Sequence, residues 1–216
     1  MRIAVKHPEM FASVFEETTK FKLNRPLNGI STDTRKIEKG DLFVALKGNN
    51  YDGHNFLKQS EIVGASAVLV QDIKENLGIQ QIMVDDPAIE IGKISNRWRS
   101  KFDIPIVGIT GSNGKTTTKE LLTYILSQEF EVHATKGNFN TRIGLPLSLL
   151  ELEPKHDISI LEMGASAPGE IKKLCKIANP THGLITNIAE AHLEGFGSIG
   201  AIANEKQALF KSLDSG

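Results

Sequence analysis

The segment that most constrains the fold is a glycine-rich turn at 110–116, with the sequence Thr-Gly-Ser-Asn-Gly-Lys-Thr. It follows an apolar stretch at 104–109, which is typical of a buried strand, and it leads into a helical stretch at 115–128. Glycines in such a turn let backbone N–H groups point toward phosphate oxygens, and the N-terminus of the following helix adds partial positive charge. The sequence therefore predicts a phosphate-binding loop between a strand and a helix.

Two side chains of this turn have specific roles in the predicted loop. Lys115 would neutralise charge on the β- and γ-phosphates of a nucleotide, and the Thr116 hydroxyl would hold Mg²⁺. The spacing departs from the common phosphate-loop pattern, because Ile109 occupies the position of the first glycine. An ordinary strand–turn–helix with a surface lysine is the alternative. The predicted nucleotide-binding residues are Thr110, Gly111, Ser112, Asn113, Gly114, Lys115 and Thr116.

Strands and helices alternate strictly from residue 104 onward, which is typical of a parallel sheet covered on both faces. The further strands are predicted at 131–134, 157–162 and 183–186, and the further helices at 143–152, 169–178 and 199–213. The preceding part mixes strand-like stretches at 41–46, 67–70 and 81–84 with helical ones at 10–20, 54–63 and 88–101. We therefore predict an α/β fold: a small N-terminal α/β domain over 1–102, then a partial P-loop-type parallel sheet with helices on both faces over 103–216.

Composition excludes several classes of protein. The 25 Lys and Arg residues balance 26 Asp and Glu residues, whereas a dedicated nucleic-acid binder needs an excess of cations. Cys175 is the only cysteine, so neither an intramolecular disulfide nor a cysteine-cluster metal site can form. No apolar run is long enough to span a bilayer, and the first residues lack the apolar core of a signal peptide. We expect a cytoplasmic protein that binds no nucleic acid.

A second group of candidate residues follows two later strands. Glu162 ends the predicted strand at 157–162, and His192 follows the one at 183–186. Ligands of open parallel sheets bind beyond the carboxyl ends of the strands, so both side chains would face the phosphate loop. A carboxylate and an imidazole there would bind a second divalent ion facing the γ-phosphate. A helix-capping glutamate and a hydrogen-bonded loop histidine are the alternative.

A third group lies in the N-terminal part. Its hydroxyls and its arginine would hold the phosphates or the uracil of a nucleotide, although these residues alone favour a turn with satisfied polar groups. The group comprises Ser31, Thr32 and Arg35, followed by Gly48 and then Asp52, Gly53 and His54.

Taken together, these segments resemble the Mur ligase family. The resemblance rests on Ser-Thr-Asp-Thr-Arg-Lys at 31–36, Gly-Asp-Leu-Phe-Val-Ala-Leu-Lys-Gly at 40–48, Asp-Gly-His-Asn-Phe at 52–56 and the loop at 110–117. Within the family, the segments at 136–140, 143–146, 161–165 and 191–198 are similar to the enzyme that adds D-alanyl-D-alanine to UDP-N-acetylmuramoyl-tripeptide.

The resemblance implies an ATP- and Mg²⁺-dependent ligase of peptidoglycan precursor synthesis. ATP would phosphorylate the terminal carboxylate of the UDP-linked tripeptide, and the amine of D-alanyl-D-alanine would attack the acyl phosphate to form an amide. Because family members continue into a further domain, we expect this chain to be truncated and inactive alone. A sister Mur ligase that adds the third residue, and a non-catalytic nucleotide-binding module, are the alternatives.

The resemblance also implies roles for individual residues. Lys115, Glu162, His192 and Lys206 would be catalytic, with Lys206 carbamylated, and the metal ligands would be Thr116, Glu162 and His192. The UDP moiety would lie among Ser31, Thr32, Arg35, Gly48, Asp52, Gly53 and His54, and the muramoyl-peptide would face Asn138, Asn140 and Thr141. The chain departs from the family where it has Thr141 and Ser166 in place of Asn, and Gln207-Ala208 in place of Gly-Glu.

Overall fold

The computed structural model describes residues 1–48, 51–191 and 193–213. The chain divides into two compact units, Met1–Trp98 and the part from Arg99 onward. Each unit has its own sheet, and the two sheets share no strand. The sequence places the domain boundary at residue 102; which ligand each unit binds stays a prediction.

The first unit contains a five-stranded sheet in the order β1-β2-β3-β4-β5. Strand β1 is antiparallel to β2, and all the other pairs are parallel. The central strands β3 and β4 are buried along their whole length, as expected of strands covered on both faces. The five strands are β1 Arg2–Ala4, β2 Gly29–Ser31, β3 Asp41–Val44, β4 Ala67–Val70 and β5 Gln80–Met83.

The α-helices in the described residues of this part are α1 Pro8–Thr19, α2 Leu57–Val63 and α3 Pro87–Arg99. Helix α1 begins at a proline, which has no N–H to leave unpaired in the first turn, and it buries Phe11, Val14 and Phe15 at helical spacing. The helix predicted over 54–63 is wrong in its first turn, where a 3-10 turn, Gly53–Phe56, precedes α2. A further 3-10 turn spans Thr34–Lys36.

The second unit contains the predicted parallel sheet, with four strands in the order β7-β8-β6-β9. The strands are β6 Ile106–Thr110, β7 Val132–Ala134, β8 Ile158–Glu162 and β9 His182–Ile185. The helices that alternate with them are α4 Lys115–Leu126, α5 Gly144–Leu149, α6 Glu170–Ala178, α7 Leu193–Phe196 and α8 Ile199–Gln207. This mixed α/β architecture, with helices on both faces of a parallel sheet, confirms the predicted fold class.

The last predicted helix is shorter than expected. Helix α8 ends at Gln207, and a 3-10 turn, Phe210–Ser212, replaces its predicted continuation to 213. The backbone tightens there because the Leu209 N–H donates to the carbonyl of Lys206, only three residues back, at 3.1 Å. In the part of the chain that the structure describes, no helix is both long enough and apolar enough to cross a membrane.

Strand pairing brings the predicted site residues of the second unit to one edge of the sheet. Strands β6 and β8 are neighbours, with Ile109 paired to Glu162. The phosphate loop therefore leaves β6 beside the end of β8, and β9 ends on the other side of β6. This is the edge at which open parallel sheets bind their ligands.

Candidate active site

The turn between β6 and α4 has the backbone geometry of an anion-binding loop. Gly114 precedes α4 with a φ of +78°, a left-handed conformation that L side chains rarely adopt. A Cβ atom at Gly111 would collide with the Thr186 side chain. None of the side chains that the structure describes caps the N-terminus of α4, so its first N–H groups are available to an anion.

The loop that follows β9 holds this turn in place. The Thr186 hydroxyl donates to the Asn113 carbonyl at 2.6 Å, and the N–H groups of Ser112 and Asn113 donate to the Asn187 carbonyl and side-chain oxygens at 3.0 and 2.9 Å. The Ser112 hydroxyl donates to the Ala189 carbonyl at 2.8 Å. The backbone N–H groups of Ser112 and Asn113 and the Ser112 hydroxyl thus bond to protein, and these bonds hold the loop in this shape.

Thr116, Glu162 and Asn140 form one hydrogen-bonded cluster. The Thr116 hydroxyl donates to Glu162 Oε2 at 2.8 Å, and the Asn140 amide donates to Glu162 Oε1 at 2.7 Å. The Glu162 N–H donates in turn to the Thr135 hydroxyl at 3.1 Å. Glu162 is buried at the end of β8, and the hydrogen bonds from Thr116 and Asn140 fix the orientation of its two carboxylate oxygens.

Two lysines lie near the phosphate loop: Lys115 precedes Thr116, and Lys206 is close enough to Lys115 for the two charges to interact. The Lys115 ammonium donates to the carbonyls of Gly111 and Ser112 at 2.7 and 3.3 Å, so it folds back over its own loop. Lys206 on α8 is only 4% exposed. Burial lowers the pKa of Lys206, and the positive charge of Lys115 lowers it further. A lysine of this kind spends more time as the neutral, nucleophilic amine than a surface lysine does.

Glu205 positions the helix that carries Lys206. Its buried carboxylate accepts the N–H groups of Gly169 and Ile171, both at 2.6 Å, at the N-terminus of α6. A carboxylate is favourable at this end of a helix because the N–H groups there are otherwise unpaired. Sequence reasoning missed this residue, because nothing in its local pattern indicates a partner on another helix.

A cavity of about 360 Å³ opens next to the cluster. Three of its lining residues are basic, namely Lys115, Arg142 and Lys173, and one is acidic. That residue, Glu170, accepts the N–H groups of Ser166 and Ala167 at 2.6 and 3.1 Å. The excess of positive charge suits a cavity for an anionic group. Asn140, Thr141, Gly164, Ala165, Ser166 and Leu174 complete the lining, whereas Asn138 is exposed outside it.

The predicted metal ligands are placed only in part. His192 lies outside the described residues, and the rest of the described chain has no group of three or more His, Cys, Asp or Glu side chains that would hold a metal ion. The hydroxyl of Thr116 and the carboxylate of Glu162 are hard oxygen donors 2.8 Å apart. Mg²⁺ in phosphate sites takes one or two protein oxygens and completes its shell with water and phosphate. The two residues therefore fit this ion.

The predicted UDP-binding residues lie at the carboxyl edge of the first sheet. Ser31 is fully buried, and its hydroxyl donates to the Asp33 carbonyl at 2.9 Å; Thr32 is half-buried. The exposed Arg35 guanidinium donates to both Asp33 carboxylate oxygens, at 2.9 and 2.8 Å. This fork holds the pKa of Asp33 well below its usual range. Of these three predicted residues, Arg35 is the exposed cation.

Two of the predicted UDP-binding residues in the turn at 52–54, Gly53 and His54, are buried in the fold. His54 is buried; its Nδ1 lies 2.7 Å from Asp52 Oδ1, and its Nε2 accepts the Gln71 N–H at 2.9 Å. A Cβ atom at Gly53 would press against the backbone of Ala45. The exposed Gly48 and the half-buried Asp52 are thus the members of this group that reach the surface.

Comparison with known proteins assigns the chain to a family. The Mur ligase family catalytic domain matches residues 26–100, and the Mur ligase middle domain matches residues 109–216, which is half of the chain. The chain therefore belongs to the Mur ligase family.

Relatives and solved structures narrow the similarity. The UDP-N-acetylmuramoyl-tripeptide–D-alanyl-D-alanine ligase of Synechocystis sp. is 48% identical over 185 residues, covering 85% of this chain and 41% of the relative. The crystal structure of MurF from Acinetobacter baumannii matches with a TM-score of 0.90 and 34% identity, covering 94% of this chain and 46% of that one. MurF ligase from Thermotoga maritima in complex with ADP matches with a TM-score of 0.81 and 37% identity, covering 87% and 44%. The chain thus spans less than half the length of the proteins it matches.

Proposed function

We propose that this chain supplies the nucleotide site and the UDP-substrate site of an ATP-dependent ligase that joins D-alanyl-D-alanine to UDP-N-acetylmuramoyl-tripeptide. The observation that carries the proposal is the cluster of Thr116, Glu162 and Asn140 beside Lys115, at the carboxyl ends of two neighbouring strands. The name of the Synechocystis relative and the ADP complex of the Thermotoga structure support this assignment. We place the reaction in the cytoplasm, as the family resemblance implies.

The turn before α4 would bind the phosphates of ATP. The uncapped first turn of α4 offers N–H groups and the positive end of its dipole. Lys115 would exchange its bonds to the Gly111 and Ser112 carbonyls for bonds to phosphate oxygens, which are stronger because both partners are charged. The bonds from Thr186 and Asn187 keep the loop in shape during this exchange.

Thr116 and Glu162 would hold Mg²⁺, with Asn140 fixing the orientation of the Glu162 carboxylate. When bound, the ion neutralises charge that develops during phosphoryl transfer. Glu162 and His192 remain our proposed ligands for a second ion. Lys206 remains a proposed carbamate: its neutral amine would add to CO₂, an N–C bond would form, and a proton would be released. The lowering of the Lys206 pKa by burial and by the charge of Lys115 favours the amine form that this addition needs.

The basic cavity would receive the carboxyl end of the acceptor peptide. A carboxylate oxygen of the tripeptide would attack the γ-phosphorus of ATP, releasing ADP and leaving an acyl phosphate. The amine of D-alanyl-D-alanine would then attack the acyl carbon, releasing phosphate and forming the amide. Lys115, Arg142 and Lys173 line the cavity and would hold the anionic reactants against their mutual repulsion.

Separate titrations test this proposal. The purified 216-residue chain is titrated with ATP plus Mg²⁺ and, independently, with UDP-N-acetylmuramoyl-tripeptide. We expect both ligands to bind. A non-catalytic nucleotide-binding module would bind only ATP, and a ligase that adds the third residue would prefer the UDP-linked dipeptide. Assays of phosphate release should detect no useful turnover, because more than half of the length of the relative lies outside the matched segment.

A further inference from the structure

Tyr51 presents an aromatic ring at the carboxyl edge of the first sheet. Its ring is stacked on Phe56, with 5.5 Å between the ring centroids and 15° between the ring planes. The Tyr51 carbonyl accepts the Gly48 N–H at 2.8 Å, and Lys47 pairs with Asp52 in an isolated antiparallel bridge. The ring is therefore held by contacts on one face and by its backbone, while the residue remains 42% exposed.

The charged loop after β2 adjoins this ring. The Tyr51 hydroxyl interacts with the Thr34 side chain, and the charges of Asp33 and Arg35 are close enough to act on it. The Arg35 side chain is 86% exposed and is held by its fork to Asp33. A fixed aromatic surface thus lies next to a fixed guanidinium.

An exposed tyrosine alone is common at protein surfaces, but here the ring is stacked on Phe56 and lies near the Arg35 guanidinium. A flat heteroaromatic base can stack on an aromatic ring that is already immobilised, so little conformational freedom is lost on binding. A guanidinium beside it suits the phosphates attached to such a base. The pair therefore matches a nucleoside diphosphate.

We propose that the exposed face of Tyr51 stacks on the uracil base of the UDP-linked substrate. The inference rests on the proposed function, and it makes Tyr51 a specificity residue that recognises the aromaticity of the base. Tyr51 follows the two residues outside the described chain and precedes the Asp-Gly-His turn. The sequence signal for this role was the aromatic side chain of Tyr51, but the UDP-binding residues predicted from the sequence did not include it.

The experiment compares UDP with 5,6-dihydrouridine 5′-diphosphate, whose saturated base keeps its carbonyls and N–H but cannot stack as a flat ring. Affinities are measured by calorimetry for the wild-type chain and for Tyr51→Phe, Tyr51→Ala and Phe21→Ala. Phe21 is a matched control, because it is an aromatic residue of the same unit with 43% exposure. We expect wild type, Tyr51→Phe and Phe21→Ala to prefer UDP by about 10- to 100-fold. Tyr51→Ala should lose that factor for UDP and bind both ligands alike.

Other results overturn the inference. If the wild-type chain binds UDP and its dihydro analogue equally, no stacking occurs, and this comparison needs no variant to fold. If folded Tyr51→Ala, checked by circular dichroism, still prefers UDP by the wild-type factor, Tyr51 only supports Phe56. In both cases UDP still binds and the proposed function stands. If the wild-type chain does not bind UDP at all, the proposed UDP site and the role of Tyr51 both fail.

Discussion

The hydroxyl of Thr116 donates a 2.8 Å hydrogen bond to the carboxylate of Glu162. The bond joins the first turn of the helix after the phosphate loop to the end of the neighbouring strand, across 46 residues of sequence. Both groups are oxygen donors, and Asn140 holds the second carboxylate oxygen. The protein thus assembles a candidate Mg²⁺ pair from residues that the chain places far apart.

Thr116→Val should weaken ATP binding only when Mg²⁺ is present. Valine has nearly the same shape as threonine but lacks the oxygen that would bind the ion, so we expect a loss of about 1.5–3 kcal/mol, the size of a hydrogen bond to a charged group. Thr117→Val is a matched control, because Thr117 is the exposed next residue of the same helix. Calorimetry with and without Mg²⁺ measures the effect. An equal loss in both conditions would show that Thr116 acts on the loop and not on the ion.

Lys115→Ala should weaken ATP binding by about 1.5–3 kcal/mol, because a charged donor to the phosphates is removed. Lys172→Ala, an exposed lysine outside the lining of the basic cavity, is the control and should leave the affinity unchanged. Unaltered affinity in a folded Lys115→Ala variant would remove the loop from the nucleotide site.

The central strands of the second sheet, β6 and β8, were predictable because they are largely buried and parallel. Such strands are mainly apolar, so the stretch at 158–162 can be recognised without knowledge of its partners. Strands β1 and β2 were not predicted, since each has three residues and depends on distant pairing. Strand β1, for example, is anchored by the Arg2 guanidinium, which donates two hydrogen bonds to the buried carboxylate of Asp41, at 2.8 and 2.9 Å. No local pattern contains that contact.

The candidate site likewise contains some features that the sequence predicts and others that only the tertiary fold defines. The phosphate loop and Glu162 follow from local sequence, because a glycine-rich turn and a strand end can be located from nearby residues. The roles of Thr186 and Asn187 in holding the loop depend on β9 lying beside β6. The buried His54 ring accepts the N–H of Gln71, the residue that follows β4, 17 residues further along the chain. These contacts are fixed by the tertiary fold and not by spacing along the chain.

Gly111→Ala and Gly114→Ala should separate collision from backbone strain in the phosphate loop. Gly114 has a left-handed φ of +78° but no atom within 4 Å of an added Cβ, so alanine there should cost about 1–2 kcal/mol from conformation alone. At Gly111 an added Cβ also strikes Thr186, so the loss of stability and of ATP affinity should be larger. Urea unfolding and calorimetry measure both quantities. Equal losses in the two variants would contradict the close packing of Gly111 on Thr186.

His133 should make the second unit acid-sensitive. Its ring is buried, with Nδ1 2.8 Å from the Ser159 hydroxyl and Nε2 2.9 Å from the Ser148 carbonyl. Burial, with a smaller contribution from the charge of His156, lowers the pKa of His133 from 6.5 to about 3. The folded state therefore binds fewer protons than the unfolded state between these values, and stability falls as the pH falls through that window.

The expected loss from His133 between pH 7 and pH 5 is about 2 kcal/mol. Urea unfolding at pH 7, 6 and 5 measures it in the wild type and in His133→Gln, which keeps an N–H donor but does not titrate. His133→Gln should be less stable at pH 7, because its packing differs, yet its stability should depend less on pH. His182→Gln, at an exposed histidine, should keep the wild-type pH dependence. If His133→Gln also keeps it, protonation of other groups causes the acid sensitivity, and the buried imidazole does not.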